Sequence, residues 1–123
     1  MVFGEFTAAG QVQVTITVGN GLDDPIDVAA IVDTGFMGAL LLPRSLVTRL
    51  QLPQVNQEEL RLANGSIVRF SVHEVVVLWQ EEERVVQAHA ADGDVLVGIE
   101  LLRGNVGTFE FIDGGTVTIE AAE

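Results

Sequence analysis

The sequence predicts an all-β protein, a barrel or a sandwich carrying two short helices. Two observations carry that prediction. About eight segments read as strands, several with apolar and polar residues alternating at a period of two. Turn-forming clusters recur about every ten residues, the spacing of many short strands folded back on one another.

Gln11 to Val18 gives the clearest pattern. Val12, Val14, Ile16 and Val18 face one way, and Gln11, Gln13, Thr15 and Thr17 face the other, as in a half-buried strand. The turn formers of residues 19–25 follow. Ile26 to Val32 is a second strand ending in the apolar run Ala29-Ala30-Ile31-Val32, which predicts burial on both faces. After Asp33-Thr34-Gly35, Ala39 to Leu42 resumes apolar character. Pro43 to Leu50 suits a short helix, with Pro43 in the first turn where its missing N–H costs nothing, and Pro53 stops it.

Glu59 to Ala63 and Ser66 to Trp79 flank Asn64-Gly65, a dipeptide whose tolerance of positive φ suits a type I′ hairpin turn. A turn at Gln80 to Glu83 leads into a strand from Arg84 to Ala90. Asp92-Gly93-Asp94 is another turn. Val95-Leu96-Val97 runs into one or two helical turns at Gly98 to Leu102. Thr108 to Ile112, Gly114-Gly115 and Thr116 to Glu120 form a closing hairpin.

At 123 residues, a single domain over 1–123 is expected, with no repeat or linker. A hydrophobic fraction of 48% and a charged fraction of 20% are those of a globular chain. The absence of cysteine excludes disulfides and thiolate metal sites. With a formal net charge of −12 and arginine as the sole strongly basic residue type, binding to nucleic acid or to an anionic membrane is disfavoured. No basic residue precedes Arg44 and the apolar run 35–43 is too short to span a bilayer, so a soluble cytoplasmic protein is expected.

Ala30-Ile31-Val32-Asp33-Thr34-Gly35, with Gly38 after it, resembles the active-site loop of retropepsin-like aspartic proteases. Leu62-Ala63-Asn64-Gly65-Ser66 stands where that family carries its flap. Leu96-Val97-Gly98-Ile99-Glu100-Leu101-Leu102 is similar to its second signature, and Phe109-Glu110-Phe111-Ile112 with Val117-Thr118-Ile119 to its closing strands. The order of these features, from about Gln11 to Ile119, is far more specific than the Asp-Thr-Gly triplet alone. Two residues depart from the pattern. Phe36 replaces a small residue and is expected to reshape the adjoining pocket. Glu100 replaces an aspartate and is expected to shift a hydrogen bond. The hairpin tip also has fewer glycines than viral members, which implies a stiffer flap.

The resemblance implies a homodimeric, retropepsin-like acid-protease barrel acting on a protein or peptide substrate without cofactor or metal. Asp33 would be the catalytic carboxylate, paired with Asp33 of a second copy, because this chemistry needs two carboxylates sharing one proton. Thr34 would bond across the twofold axis, and Gly35 would point an N–H at the carboxylate. Phe36, Ala63, Asn64 and Gly65 would contact substrate. The segments Met1 to Phe6 and Thr116 to Ala121 would supply an intersubunit sheet. The alternative is a catalytically silent dimeric module of the same fold that binds peptides or proteins. A monomeric barrel with an accidental triplet is the third possibility. His73 and His89 are isolated in sequence and read as ordinary surface or partly buried residues. Asp23, Asp24 and Asp27, or Asp92 and Asp94, lack the ladder of a calcium loop.

Overall fold

The computed structural model describes residues 1–21, 23–61 and 63–123, with only the backbone described at residue 60. Among the described residues, ten strands join in one sheet: β1 (Val2–Phe6), β2 (Val12–Gly19), β3 (Ile26–Val32), β4 (Leu40–Leu42), β5 (Gln54–Arg61), β6 (Ile67–Trp79), β7 (Glu82–Ala90), β8 (Leu96–Val97), β9 (Asn105–Phe109) and β10 (Thr116–Ala121). Two short helices interrupt them, α1 (Arg44–Arg49) and α2 (Ile99–Leu102).

The sheet closes on itself. Its order β6-β7-β4-β8-β3-β2 is completed by pairing of Thr17–Gly19 on β2 with Val76–Leu78 on β6. The ring contains two parallel pairs, β3 with β8 and β4 with β7, and closure leaves no free edge around the core. Two extensions leave this barrel: β5 beyond β6, and the β1-β10-β9 sheet beyond β2.

The period-two reading of β2 holds. Val14, Ile16 and Val18 are buried and Thr15 is exposed. They meet Val75, Val77 and Trp79 of β6, Leu40 and Leu42 of β4 and Val97 of β8 in one apolar core. The apolar run on β3 is buried on one face only: Ala30 is fully buried while Ala29 is exposed. Pro43 sits one position outside α1, at its N-cap, with extended backbone (φ −58°, ψ 143°). Leu46 and Val47 anchor the helix.

Several features differ from the sequence-based expectation; one is β9, which spans Asn105–Phe109 rather than Thr108 to Ile112. The strand before the Asn64-Gly65 hairpin begins at Gln54 rather than Glu59, because the polar residues Gln54, Asn56, Gln57 and Glu58 pair along β6 without needing burial. The tip is longer than a two-residue turn: among the described residues, 63–66 lie outside the strand pairing. Arg61↔Ile67 is the last pair, and Gly65 takes the left-handed backbone at φ +85°. Asn64 Oδ1 accepts hydrogen bonds from the Ser66 N–H at 2.9 Å and the Ser66 hydroxyl at 2.6 Å; Leu62 lies outside the described residues. The tight turn of this type instead joins β6 to β7, where Gln80 and Glu81 take φ +52° and +68° between the paired Trp79 and Glu82. Another difference is β1, whose polar-interrupted sequence gave little strand signal. It pairs with β10 (Val2↔Ile119) and with β2 (Gly4↔Val14) of its own chain.

Candidate active site

Asp33 follows the last residue of β3, and its loop is held by the segment that runs from β8 into α2. The Asp33 N–H donates to Val97 O at 2.9 Å, Gly98 N–H to Ala39 O at 2.9 Å and Ile99 N–H to Phe36 O at 2.8 Å. Glu100 N–H reaches Gly38 O at 3.2 Å, and within the loop Phe36 N–H donates to Asp33 O at 3.2 Å. Backbone amides thus fix both ends of residues 33–38.

Glycine is needed at 98 because the two segments touch there. A Cβ on Gly98 would lie 2.1 Å from Gly38 O and 2.6 Å from Phe36 Cδ2, closer than real contacts permit. Gly98 therefore serves packing.

The Gly35 N–H donates to Asp33 Oδ1 at 2.9 Å. That bond fixes the orientation of the carboxylate. Asp33 is half-buried, while Thr34 and Gly35 are exposed. The Thr34 hydroxyl makes no hydrogen bond among the described residues, nor does the Glu100 carboxylate. The expectation of a shifted Glu100 hydrogen bond thus finds no counterpart here: the side chain is exposed, and only its backbone N–H is tied to the loop.

The loop separates two hollows. One, of about 330 Å³, runs from Thr34 and Val32 past Ile99 and Leu102 to Phe109 and Ile119. The other, of about 540 Å³, lies between Gly35–Gly38 of the loop and Glu58, Glu59 and Phe70 of the β5–β6 hairpin, with Leu41 and His89 in its wall. Phe36 lines this second hollow and stacks edge-on against His89, with ring centroids 5.7 Å apart. The pocket beside the triplet is thus shaped by an aromatic ring, as the Phe36 departure suggests.

Ala63, Asn64 and Gly65 are exposed at the hairpin tip and line neither hollow. The hairpin contributes residues nearer its base instead: Glu58, Glu59 and Phe70. Sequence reasoning missed these, and it missed His89. The usable signal was hairpin register, since Glu58 and Phe70 are directly opposed. His73 is an ordinary histidine, as expected, held between Leu52 O and Ser71 Oγ at 3.0 Å each. Asp27 accepts a hydrogen bond from the Thr17 hydroxyl, and Asp92 pairs with Arg44. Among the described residues, no group of three or more His, Cys, Asp or Glu side chains converges as a metal site.

This architecture has counterparts among solved structures. The chain is similar to a retropepsin-like aspartic protease from Rickettsia conorii, with a TM-score of 0.62 and 17% identity over 100% of this chain and 92% of that one. It is also similar to EIAV protease, solved in complex with the inhibitor HBY-793, with a TM-score of 0.56 and 15% identity over 76% of this chain and 86% of that one. The fold is retropepsin-like. No protein-family model matches the chain, and no curated protein matches it. The likeness therefore resides in the barrel and its topology, since so few residue identities are shared. Among the described residues, no helix of this retropepsin-like chain is long and apolar enough to cross a membrane.

Proposed function

We propose that the chain is a single retropepsin-like domain that works as a homodimeric aspartic endopeptidase. The observation that carries this reading is Asp33: a carboxylate oriented by the Gly35 N–H, on a loop clamped by backbone hydrogen bonds, beside a cleft with aromatic walls. One such carboxylate is insufficient. Hydrolysis by this route needs an ionised carboxylate to take a proton from water and a protonated one to donate to the carbonyl oxygen. A twofold axis past Asp33 supplies the second from an identical chain, and the resulting interface is isologous. The exposed Thr34 hydroxyl, with no hydrogen bond among the described residues, is suited to bond across that axis. The β5–β6 hairpin covers an extended peptide whose backbone adds as a strand, and its tip residues Ala63, Asn64 and Gly65 reach substrate in the closed dimer.

The test is digestion of a diverse peptide pool from about pH 3 to about pH 8 beside Asp33→Asn. Cleavage is expected on the acidic side, where one carboxyl of the pair stays protonated. Asp33→Asn is expected to abolish it while sedimentation still reports a dimer. Cleavage that survives the substitution sinks the assignment.

A second reading is a silent peptide-binding dimer, favoured by Phe36, whose ring occupies space beside the triplet where the family has a small residue. Peptide binding with equal affinity by wild type and Asp33→Asn, and no cleavage by either, is the result that selects it.

A further inference from the structure

One imidazole joins the two sides of the cleft. His89, near the end of β7, has 18% of its side chain exposed, and its Nε2 lies 2.7 Å from Glu58 Oε2 on β5. Its ring meets Phe36 of the active-site loop and Phe70 of β6 edge-on, at centroid distances of 5.7 and 6.1 Å. Its Nδ1 is buried with no hydrogen-bond partner among the described residues. That nitrogen faces Gly38, where a Cβ would come within 3.2 Å. A buried N–H without an acceptor costs more than a bare ring nitrogen. The network therefore assigns the hydrogen to Nε2, which donates to the Glu58 carboxylate.

The position of this contact gives it leverage. Pairing of β6 with β7 ends at Ser71↔Ala90, and from Phe70 to Ile67 the strand is paired with β5 alone. Glu58 and Phe70 are direct cross-strand partners, so their side chains leave the hairpin on one face. Both end on His89. Arg69 engages the neighbouring Glu59 at 2.9 Å, which leaves Glu58 as the hairpin carboxylate that bonds to the barrel. The contact thus sits where the hairpin departs. From Phe70 to Ile67 the strand extends about 10 Å at about 3.3 Å per residue, so a tilt of about 10° at its base moves that end by about 2 Å, and the tip beyond it by more.

We propose that the Glu58–His89 pair is a clasp that sets the angle of the β5–β6 hairpin over the Asp33 loop, with His89 a positioning residue for substrate binding. The inference rests on the reading of that hairpin as the substrate cover. It makes the cover's resting position a property of one hydrogen bond and two edge-on ring contacts, reported to the loop through Phe36.

The test combines kinetics with hydrogen exchange. Glu58→Ala and His89→Phe are each expected to raise KM by about five- to tenfold while kcat changes by less than about twofold. His89→Gln, which keeps an N–H able to donate to Glu58, recovers most of the loss. The double variant Glu58→Ala/His89→Phe is no worse than either single one. In the same variants, the amides paired between β5 and β6 exchange about five- to tenfold faster, and those of β2 do not. Unchanged hairpin exchange, additive effects in the double variant, or a fall in kcat alone overturns the clasp. Faster hairpin exchange in the variants of a wild type that cleaves nothing leaves the clasp standing and sinks the protease reading instead.

Discussion

The Asp33 loop and the outer half of the β5–β6 hairpin face each other across the cleft and are held by opposite means. The loop is fixed through its backbone. Amides of Asp33, Gly98, Ile99 and Glu100 all donate across the contact between residues 33–39 and 97–100, and Gly98 leaves no room for a methyl group. The hairpin beyond Ser71 has one neighbouring strand and is exposed along all of Gln54 to Glu59. Its tie to the barrel runs through side chains, the Glu58–His89 bond and the Phe70–His89 contact. A site that must hold a carboxylate still while admitting a polymer needs both kinds of support. Groups that position charge belong on rigid elements, and the element that opens belongs to the least buried part of the fold.

Substituting glycine by alanine in each region tests this contrast most directly. Gly98→Ala drives a Cβ to 2.1 Å from Gly38 O and 2.7 Å from Phe36 O. Backbone atoms cannot yield as a side-chain end can, so a loss of about 3 kcal/mol or more is expected, read as a lower denaturant midpoint. Any protein that still folds should have lost activity. Gly65→Ala at the hairpin tip meets nothing within 4 Å and is opposed only by φ +85°. The expected loss is about 1 kcal/mol, the ordinary penalty of the left-handed region for a residue with a Cβ. Losses of similar size at the two sites would remove the distinction.

The same contrast marks what could be read from the chain. The barrel was legible because its determinants are local: Val14, Ile16 and Val18 announce the inward face of β2 by alternation alone. The loop was legible because Asp33-Thr34-Gly35, Gly38 and Gly98 are small residues tied to tight backbone geometry. The clasp was not, because Glu58 and His89 lie 31 residues apart in sequence and meet only once the β6–β7 register is known. Nor does β1 carry a strand pattern of its own: only the resemblance places Met1 to Phe6 in a sheet, and its pairing Val2↔Ile119 spans nearly the whole chain. A two-residue turn at the tip is the local expectation, because Asn-Gly is a strong hairpin signal. Yet the side-chain bonds from Asn64 to Ser66 stabilise a longer loop, and the two-residue turn falls on Gln80-Glu81. There Gln80 Nε2 donates to Asn105 Oδ1 and Ile119 O, both at 2.9 Å, so tertiary contacts support a turn that propensity disfavours.

The smallest expected effect concerns the other extension of the barrel, where a hairpin is pinned by one side chain. Glu110 Oε1 accepts from both the Thr116 hydroxyl and the Thr116 N–H across the β9–β10 loop. Those two bonds, the hydroxyl one first, hold the Glu110 carboxyl below its usual range. A carboxyl with a depressed folded-state pKa adds stability above its unfolded pKa, and that contribution disappears as pH falls through the lowered folded value. Glu110→Gln should therefore unfold slightly more easily than wild type at neutral pH. The difference should shrink through the acid range, because the wild-type residue also becomes neutral there. Thr116→Val, which removes the hydroxyl donor but leaves the N–H, should lose part of the same pH dependence. Thermal melts of the three proteins across that range decide it: curves that stay parallel down to the lowest pH would mean that the fully exposed Glu110–Thr116 contact contributes nothing. Side-chain ties outside the barrel would then matter only where a ring as buried as His89 anchors them.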